Sequence, residues 1–453
     1  MQKIILEEMP KSTINAKERL EVSVGLSREW DAKKAGREVA KNCLNKLSTP
    51  PDFILLFSTI HYKDHGGFEK FLEGVWKVVP KGTPLIGGTV AGFINNEGCF
   101  SRGATALAVS YPNIDVAVGY GRHTKRHPTK AANKCASIIK IKLKNSKYPN
   151  KTLINMISGP IVPESLSGGR VNVVKSKVLG SIIANIGLKI YSYRGYGFAK
   201  EVEILEALAK SLSDFNIIGG STVDDGKILY NYQFMGDKFY DDAVVGLGIS
   251  IDLPSILKGK IGLHDTNKTF KITKTACSKY VISKINKKSA KHQFFKLLDL
   301  PEEQFKELEP FYYKTSDYFP FSFEENRDRV LGIAAILGDN LVVSHKLGGN
   351  NARLLSVDGK EIISSFKQVL TDFDDTSYPF VLCFSSAIYP FIFGRKTFDI
   401  KELLVNTLEN TPFLVLFPQV ENIYIQNNKP SVRVYSTNIL SFSKNLRGVA
   451  NHI

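Results

Sequence analysis

An order of segments that returns along the chain constrains its fold more than any single motif. After Ser27 as a candidate cap, Ala32, Ala35, Val39, Cys43 and Leu47 recur at helical spacing. The apolar run Phe53–Phe57 reads as a strand, and Ser58–Gly67 as a polar turn. A second helix through Phe68, Phe71, Leu72 and Val75 leads into Leu85-Ile86-Gly87-Gly88-Thr89, and the strands Ala104–Ser110 and Val116–Gly119 close the unit. The order then returns: strand Leu153–Ile157, a helix with Ile204, Leu205, Leu208 and Leu212 on one face, the run Ile217-Ile218-Gly219-Gly220-Ser221-Thr222, and strand Ala243–Ser250. A third version uses Phe380–Ser385, the helix at Leu403, Leu404 and Leu408, Phe413–Phe417 and Val432–Tyr435. There Phe417-Pro418 takes the place of the glycine doublet. Such a pattern predicts an α/β (α+β) protein: mixed β-sheets covered by helices, built from two or three related strand-helix-strand-hairpin units.

With 453 residues, 43% of them hydrophobic, the chain exceeds what one ordinary core holds. Lys258–Gly262 is the expected boundary, giving an N-terminal part over residues 1–257 and a C-terminal part over 258–453. The alternation Ile139-Lys140-Ile141-Lys142-Leu143-Lys144 predicts a half-buried strand with solvated lysines, and Asp339-Asn340 a hairpin turn. The segment Pro160–Phe198, which contains Gly195-Tyr196-Gly197, is long enough to act as a flap.

The formal charge of +16 comes mainly from lysine, whereas base reading favours arginine forks. The basic clusters therefore read as solvated surface, and nucleic acid is not the expected partner; a basic scaffold or nucleic-acid-binding protein is the alternative. Cys43, Cys99, Cys135, Cys277 and Cys383 are odd in number and lack a C-x-x-C spacing. They read as reduced thiols in the cytoplasm rather than a disulfide framework or a zinc site. Glu7 and Glu8 interrupt what a signal peptide would need, and Tyr378–Gly394 falls short of the roughly 20 residues that span a bilayer, so no membrane span is expected.

Taken together, the Ser58…Asp64 strand exit, the Leu85–Gly92 glycine turn, the Ile217–Asp225 run IIGGSTVDD and the cysteine-bearing late strand resemble the FIST domain, named for F-box and intracellular signal transduction proteins. The resemblance spans about Leu20 to Phe442. It implies an N-terminal part holding the first two units, a C-terminal part holding the third, and an intracellular sensory module for small ligands, amino acids among them. A signalling protein would be the downstream partner. No F-box-like helical segment precedes the first helix. Cys383 is followed by Phe384-Ser385-Ser386-Ala387 where the family has glycine and arginine, and Val420-Glu421-Asn422-Ile423 replaces a glycine-glutamate turn.

On the residues themselves, Gly87, Gly88 and Thr89, with Gly219, Gly220 and Ser221, are expected to form chain reversals whose bare main-chain amides face a ligand's carboxylate or phosphate. The alternative is that the glycines permit tight sheet packing. Asp224, followed by Asp225, could meet an ammonium group, do acid/base work or simply form a turn. Cys383 is the candidate nucleophile, or a small core residue. His61 and His65 flank a carboxylate in His61-Tyr62-Lys63-Asp64-His65, a metal-like spacing on a helix but an uninformative one on a loop. The leading expectation is a non-catalytic ligand-binding protein without a cofactor, in which both glycine turns, Asp224, Cys383 and Glu421 converge on one interdomain cleft. An enzyme using Cys383 or Asp224 is the alternative.

Overall fold

The computed structural model describes residues 20–161, 173–187, 190, 196–276, 279–301, 315–371 and 378–443. Cys277, Gly195 and much of the proposed flap lie outside the described residues. Within them the repeated order becomes three units of one topology.

The first unit runs β1 (Glu21–Ser27), α1 (Ala32–Leu44), β2 (Phe53–Ser58), α2 (Gly67–Val75), β3 (Leu85–Thr89), the hairpin β4 (Phe93–Asn95) and β5 (Gly98–Phe100), then β6 (Ala104–Ser110). The second runs β7 (Ile114–Arg122), α3 (Pro128–Lys142), β8 (Asn150–Ile157), α4 (Glu201–Ser211), β9 (Asn216–Ser221), the hairpin β10 (Gln233–Met235) and β11 (Lys238–Tyr240), then β12 (Ala243–Ile251). The third runs β13 (Ser255–Ile261), α5 (Gly359–Leu370), β14 (Val381–Ser385), α6 (Thr397–Leu408), β15 (Phe413–Leu416), the hairpin β16 (Glu421–Tyr424) and β17 (Ser431–Arg433), then β18 (Ser436–Phe442). In each unit two strands pair in parallel across a helical crossover, β2 with β3, β8 with β9 and β14 with β15. The last strand of the unit lies antiparallel beside the first of that pair.

Each unit gives its hairpin away. The sheet orders are β1-β6-β2-β3-β10-β11, β17-β16-β9-β8-β12-β7 and β13-β18-β14-β15-β4-β5. The second unit's hairpin thus extends the first sheet, the third unit's extends the second, and the first unit's extends the third. Where the chains cross, Val223 N–H donates to Thr89 O (3.0 Å), Gln419 N–H to Ser221 O (2.9 Å) and Ala91 N–H to Phe417 O (2.9 Å). This closed ring makes Thr89, Ser221 and Phe417 equivalent. The glycine doublet's counterpart in the third unit is therefore Val415-Leu416, not Phe417-Pro418.

The central strands are apolar on both faces because each sheet is covered on both sides. Ile54 and Leu56 of β2 pack under α1 and α2, whereas Phe53, Leu55 and Phe57 enter a shared core with Ile154, Met156, Leu382 and Leu414 from the other units. A fourth sheet is formed by the strands of residues 263–357, inserted between β13 and α5, together with the short strand Val173–Val174, and it has its own core around Phe270, Phe294, Phe321 and Phe323.

Several expectations change. The glycine doublets are not chain reversals: all four glycines lie inside β3 and β9, and none has a positive φ. A Cβ at Gly88 would stand 2.5 Å from Thr222 Cγ2, and one at Gly220 would stand 2.7 Å from the Pro418 ring. Glycine is needed here because the neighbouring unit's chain lies directly over the strand. Gly219 sits between Asn155 and Asn422 in register, and their amides exchange hydrogen bonds across it at 2.9 and 3.0 Å. The alternating lysine segment is helical up to Lys142: Ala132, Cys135, Ala136 and Ile139 form a buried helical stripe, and Ile141 is 71% exposed. Val116–Gly119 belongs to β7, the opening strand of the second unit. The turn expected at Asp339-Asn340 falls one residue earlier, at Gly338-Asp339, with Gly338 at φ +62°.

A branched side chain at the crossing should strain the fold. Gly220→Val is expected to lower stability by about 2–3 kcal/mol, read as a lower urea midpoint, as overpacking of a filled core does.

Candidate functional site

The parallel strands β2 and β3 end side by side, and the chain leaving them diverges, as at other carboxyl ends of parallel strands. A cavity of about 380 Å³ opens there. Its walls come from the turn after β2 (Thr59 to His65), from Val90 and Ala91 after β3, from Ser101 and Arg102 before β6, and from the second unit's loop between Asp224 and Tyr230. Hairpin exchange explains that last wall. Because β10 pairs with β3, the loop from β9 to β10 must cross the end of the first unit.

Asp224 shapes this loop. Its Oδ1 accepts from the N–H groups of Gly226 (3.0 Å) and Ile228 (2.9 Å), and its Oδ2 from those of Leu229 (2.7 Å) and Tyr230 (3.3 Å). The bonds hold Ile228 at φ +59°, a strained region for a β-branched residue. Thr89 secures the far end, its Oγ1 accepting from Tyr232 N–H at 3.0 Å.

The lining carries both signs of charge. Lys63 Nζ stands 3.4 Å from Asp64 Oδ1 and 4.0 Å from the centre of the Tyr230 ring, and Lys227 Nζ stands 3.2 Å from Asp225 Oδ2. Arg102 lies 5.4 Å over the exposed Trp30 ring, and among the described residues no carboxylate lies within ion-pair distance of it. His61, hydrogen-bonded through Nδ1 to Thr59 Oγ1 at 2.7 Å, is pushed down to about 4 by burial, helped by Arg102 and His65. It is neutral at neutral pH. The turn bearing it is a short 3₁₀ helix, Ile60–Lys63. Among the described residues no group of three or more His, Cys, Asp or Glu side chains is gathered as a metal site needs.

Of the residues singled out in the sequence, Asp224, Asp225, His61 and His65 line the cavity and Thr89 braces its wall. Gly87, Gly88, Gly219, Gly220 and Ser221 lie inside strands at the crossing. Cys383 and Glu421 meet each other elsewhere, in the third unit. Burial holds the Cys383 thiol well above its ordinary value and the Glu421 charge raises it further. Glu421, itself raised by burial, accepts from Ser436 N–H (3.2 Å) and Oγ (2.9 Å). The lining residues Arg102, Lys227 and Tyr230 went unmarked because Ser101-Arg102-Gly103 and the stretch after Asp225 read as ordinary turns.

The sequence matches the family described as FIST N domain over residues 52–288, more than half of the chain. No curated protein matches it. Among solved structures, a cyanuric acid hydrolase described as evolutionary innovation by structural concatenation is 10% identical, with a TM-score of 0.25 over 53% of this chain and 71% of that one. A superposition that poor carries no argument. No helix among the described residues is long and apolar enough to cross a membrane.

Two outcomes follow from this geometry. Asp224→Ala strands four amides, so the amides of residues 226–230 should exchange roughly thirtyfold faster, equivalent to about 2 kcal/mol of local stability. In the folded protein Cys383 should react with iodoacetamide at pH 7.5 at least a hundredfold slower than a free thiol, and at the free-thiol rate in urea. Equal rates in both conditions would contradict its sealed position.

Proposed function

The chain belongs to the FIST family of signal-transduction sensory domains, and from that membership we propose that the cavity at the ends of β2 and β3 is its sensory site for a small zwitterionic ligand of amino-acid type. The observation that carries this reading is the guanidinium of Arg102, which among the described residues has no carboxylate partner, in a cavity that also holds Asp64 and Asp225. A ligand carboxylate would take Arg102, whose planar fork suits a bidentate pair. An ammonium group would face the Asp64 and Asp225 side. At about 380 Å³ the cavity is of the size that small-molecule sites have.

Every lining residue falls between Thr59 and Tyr230, so the reading places recognition in the N-terminal part, residues 1–257. The wall formed by the Asp224 loop continues into the hairpin that completes the first sheet. Occupancy of the cavity would thus bear on the contact between two units, a route by which a signalling partner in the cytoplasm could read it. The catalytic alternatives are not favoured, since Asp224 is committed to four main-chain amides and Cys383 lies beneath the third sheet's helices.

The test is a thermal-shift screen of the full chain against the proteinogenic amino acids, organic acids and nucleotides, since a ligand of the native state raises its melting temperature. An amino acid should give the shift. Arg102→Ala, at an exposed position, should keep the unliganded melting temperature and weaken binding at least tenfold, as expected for a lost charge-assisted bond. Silence from all three classes would end the proposal.

A further inference from the structure

The second unit contains a group of buried polar side chains that the sensory cavity does not use. Lys125, in the turn between β7 and α3, is buried, and its Nζ donates to Ser158 Oγ at 2.7 Å. A buried ammonium group ordinarily finds a carboxylate. The nearby Asp242 carboxylate is used otherwise: its Oδ1 accepts from Lys125's own main-chain N–H (3.1 Å) and from Thr124 Oγ1 (2.5 Å). Among the described residues no carboxylate oxygen lies within ion-pair distance of Lys125 Nζ. Burial favours the uncharged amine and pushes this lysine down to about 8, although Asp242, Glu201 and Asp241 pull the other way.

Ser158 directly follows β8, the place held by Thr59 after β2 and by Ser386 after β14. In the first unit that place opens on the cavity; in the second it is filled by Lys125. The serine is fixed in position: its Oγ lies 2.9 Å from Asp241 O and 3.3 Å from Asn231 Oδ1, and Asn231 Oδ1 also accepts from Gly159 N–H at 3.2 Å. Glu201, at the start of α4, is buried in the same group and exchanges charge effects with Lys125. Burial raises its carboxyl to about 7, and a side-chain hydrogen bond with fully buried Ser221 counters part of that rise. A buried lysine held on a serine, with no carboxylate partner among the described residues, is the arrangement of a nucleophile beside its base.

We propose that Ser158 is a nucleophile and Lys125 its general base, forming an acyl-transfer site in the second unit for small activated carbonyl compounds. Neutral Nζ takes the proton from Oγ as Oγ bonds to the carbonyl carbon. The tetrahedral adduct expels its alkoxide or amine, and the Lys125 ammonium returns the proton to that leaving group. Water then adds to the acyl-serine, giving its proton to Nζ, and collapse of the second adduct frees the acid while Ser158 regains its hydrogen. A serine–lysine pair is an established variant of nucleophile activation. The sensory reading does not depend on it, nor it on the sensory reading.

The test treats the full chain with phenylmethanesulfonyl fluoride, a probe small enough for an enclosed site. Oγ–S bond formation expels fluoride while Lys125 accepts the proton. Intact mass and peptide mapping should show one sulfonyl group, on Ser158, with a rate that climbs with pH and levels off above about 8 as Lys125 loses its proton. Ser158→Ala should take up none. Lys125→Arg, which keeps the charge but cannot serve as base, should react at least tenfold slower; Lys125→Met serves the same purpose if the arginine variant fails to fold. Absence of labelling, labelling at other residues, a flat pH profile, or an unchanged rate in the folded lysine variant would overturn the proposal.

Discussion

Three main-chain hydrogen bonds, from Val223 to Thr89, from Gln419 to Ser221 and from Ala91 to Phe417, close a ring that no unit completes by itself. Each marks the point where a chain leaves its own parallel pair and crosses to the neighbouring sheet. Past that point every unit lends its hairpin to the next, so each six-stranded sheet has strands from two units. The edge of every parallel pair is thereby covered, which removes the unpaired amides and carbonyls that would otherwise template aggregation. It also means that the three units share one core, to which Phe57, Met156 and Leu382 each contribute.

The crossing sets strict local demands. Gly88 and Gly220 are glycines because Thr222, Tyr232, Pro418 and Val420 occupy the space a side chain would need. Gly219 lets the Asn155 and Asn422 amides reach each other over a bare strand, which ties the third unit's hairpin to the second unit in one register. A one-residue slip would part that pair and turn the apolar faces of β16 outward. Stability and topology therefore have the same origin: the contacts that specify the exchange are the ones that fill the centre.

The cavity follows from the same arrangement. A loop that must pass from β9 to a hairpin on the first sheet has to travel over the ends of β2 and β3, and Asp224 gathers it there into a strained but well-bonded turn. The cavity beneath it is thus a meeting of two units rather than a hollow within one. At the equivalent place in the second unit, Lys125 and Ser158 fill the space instead. Related backbones have come to hold an open polar cavity in one place and a closed lysine–serine pair in another.

Much of the fold is legible in the residues, because strand and helix periodicities, burial on both faces of β2 and β8, and the recurrence of the order all act over short stretches of chain. Even the need for residues without side-chain bulk at positions 87, 88, 219 and 220 is visible there. Short range also explains the misreadings: three lysines alternating with apolar residues mimic a strand, while the Ala132–Ile139 stripe that makes α3 helical is satisfied only by packing against its sheet. The sequence by itself determined most of the elements, their order and their recurrence in two or three units. Only the tertiary structure decided what the glycines serve, where the cavity lies, and that Arg102 and Asp225 both line it, because hairpin exchange joins residues of different units and no local pattern records which neighbour a strand will cross to.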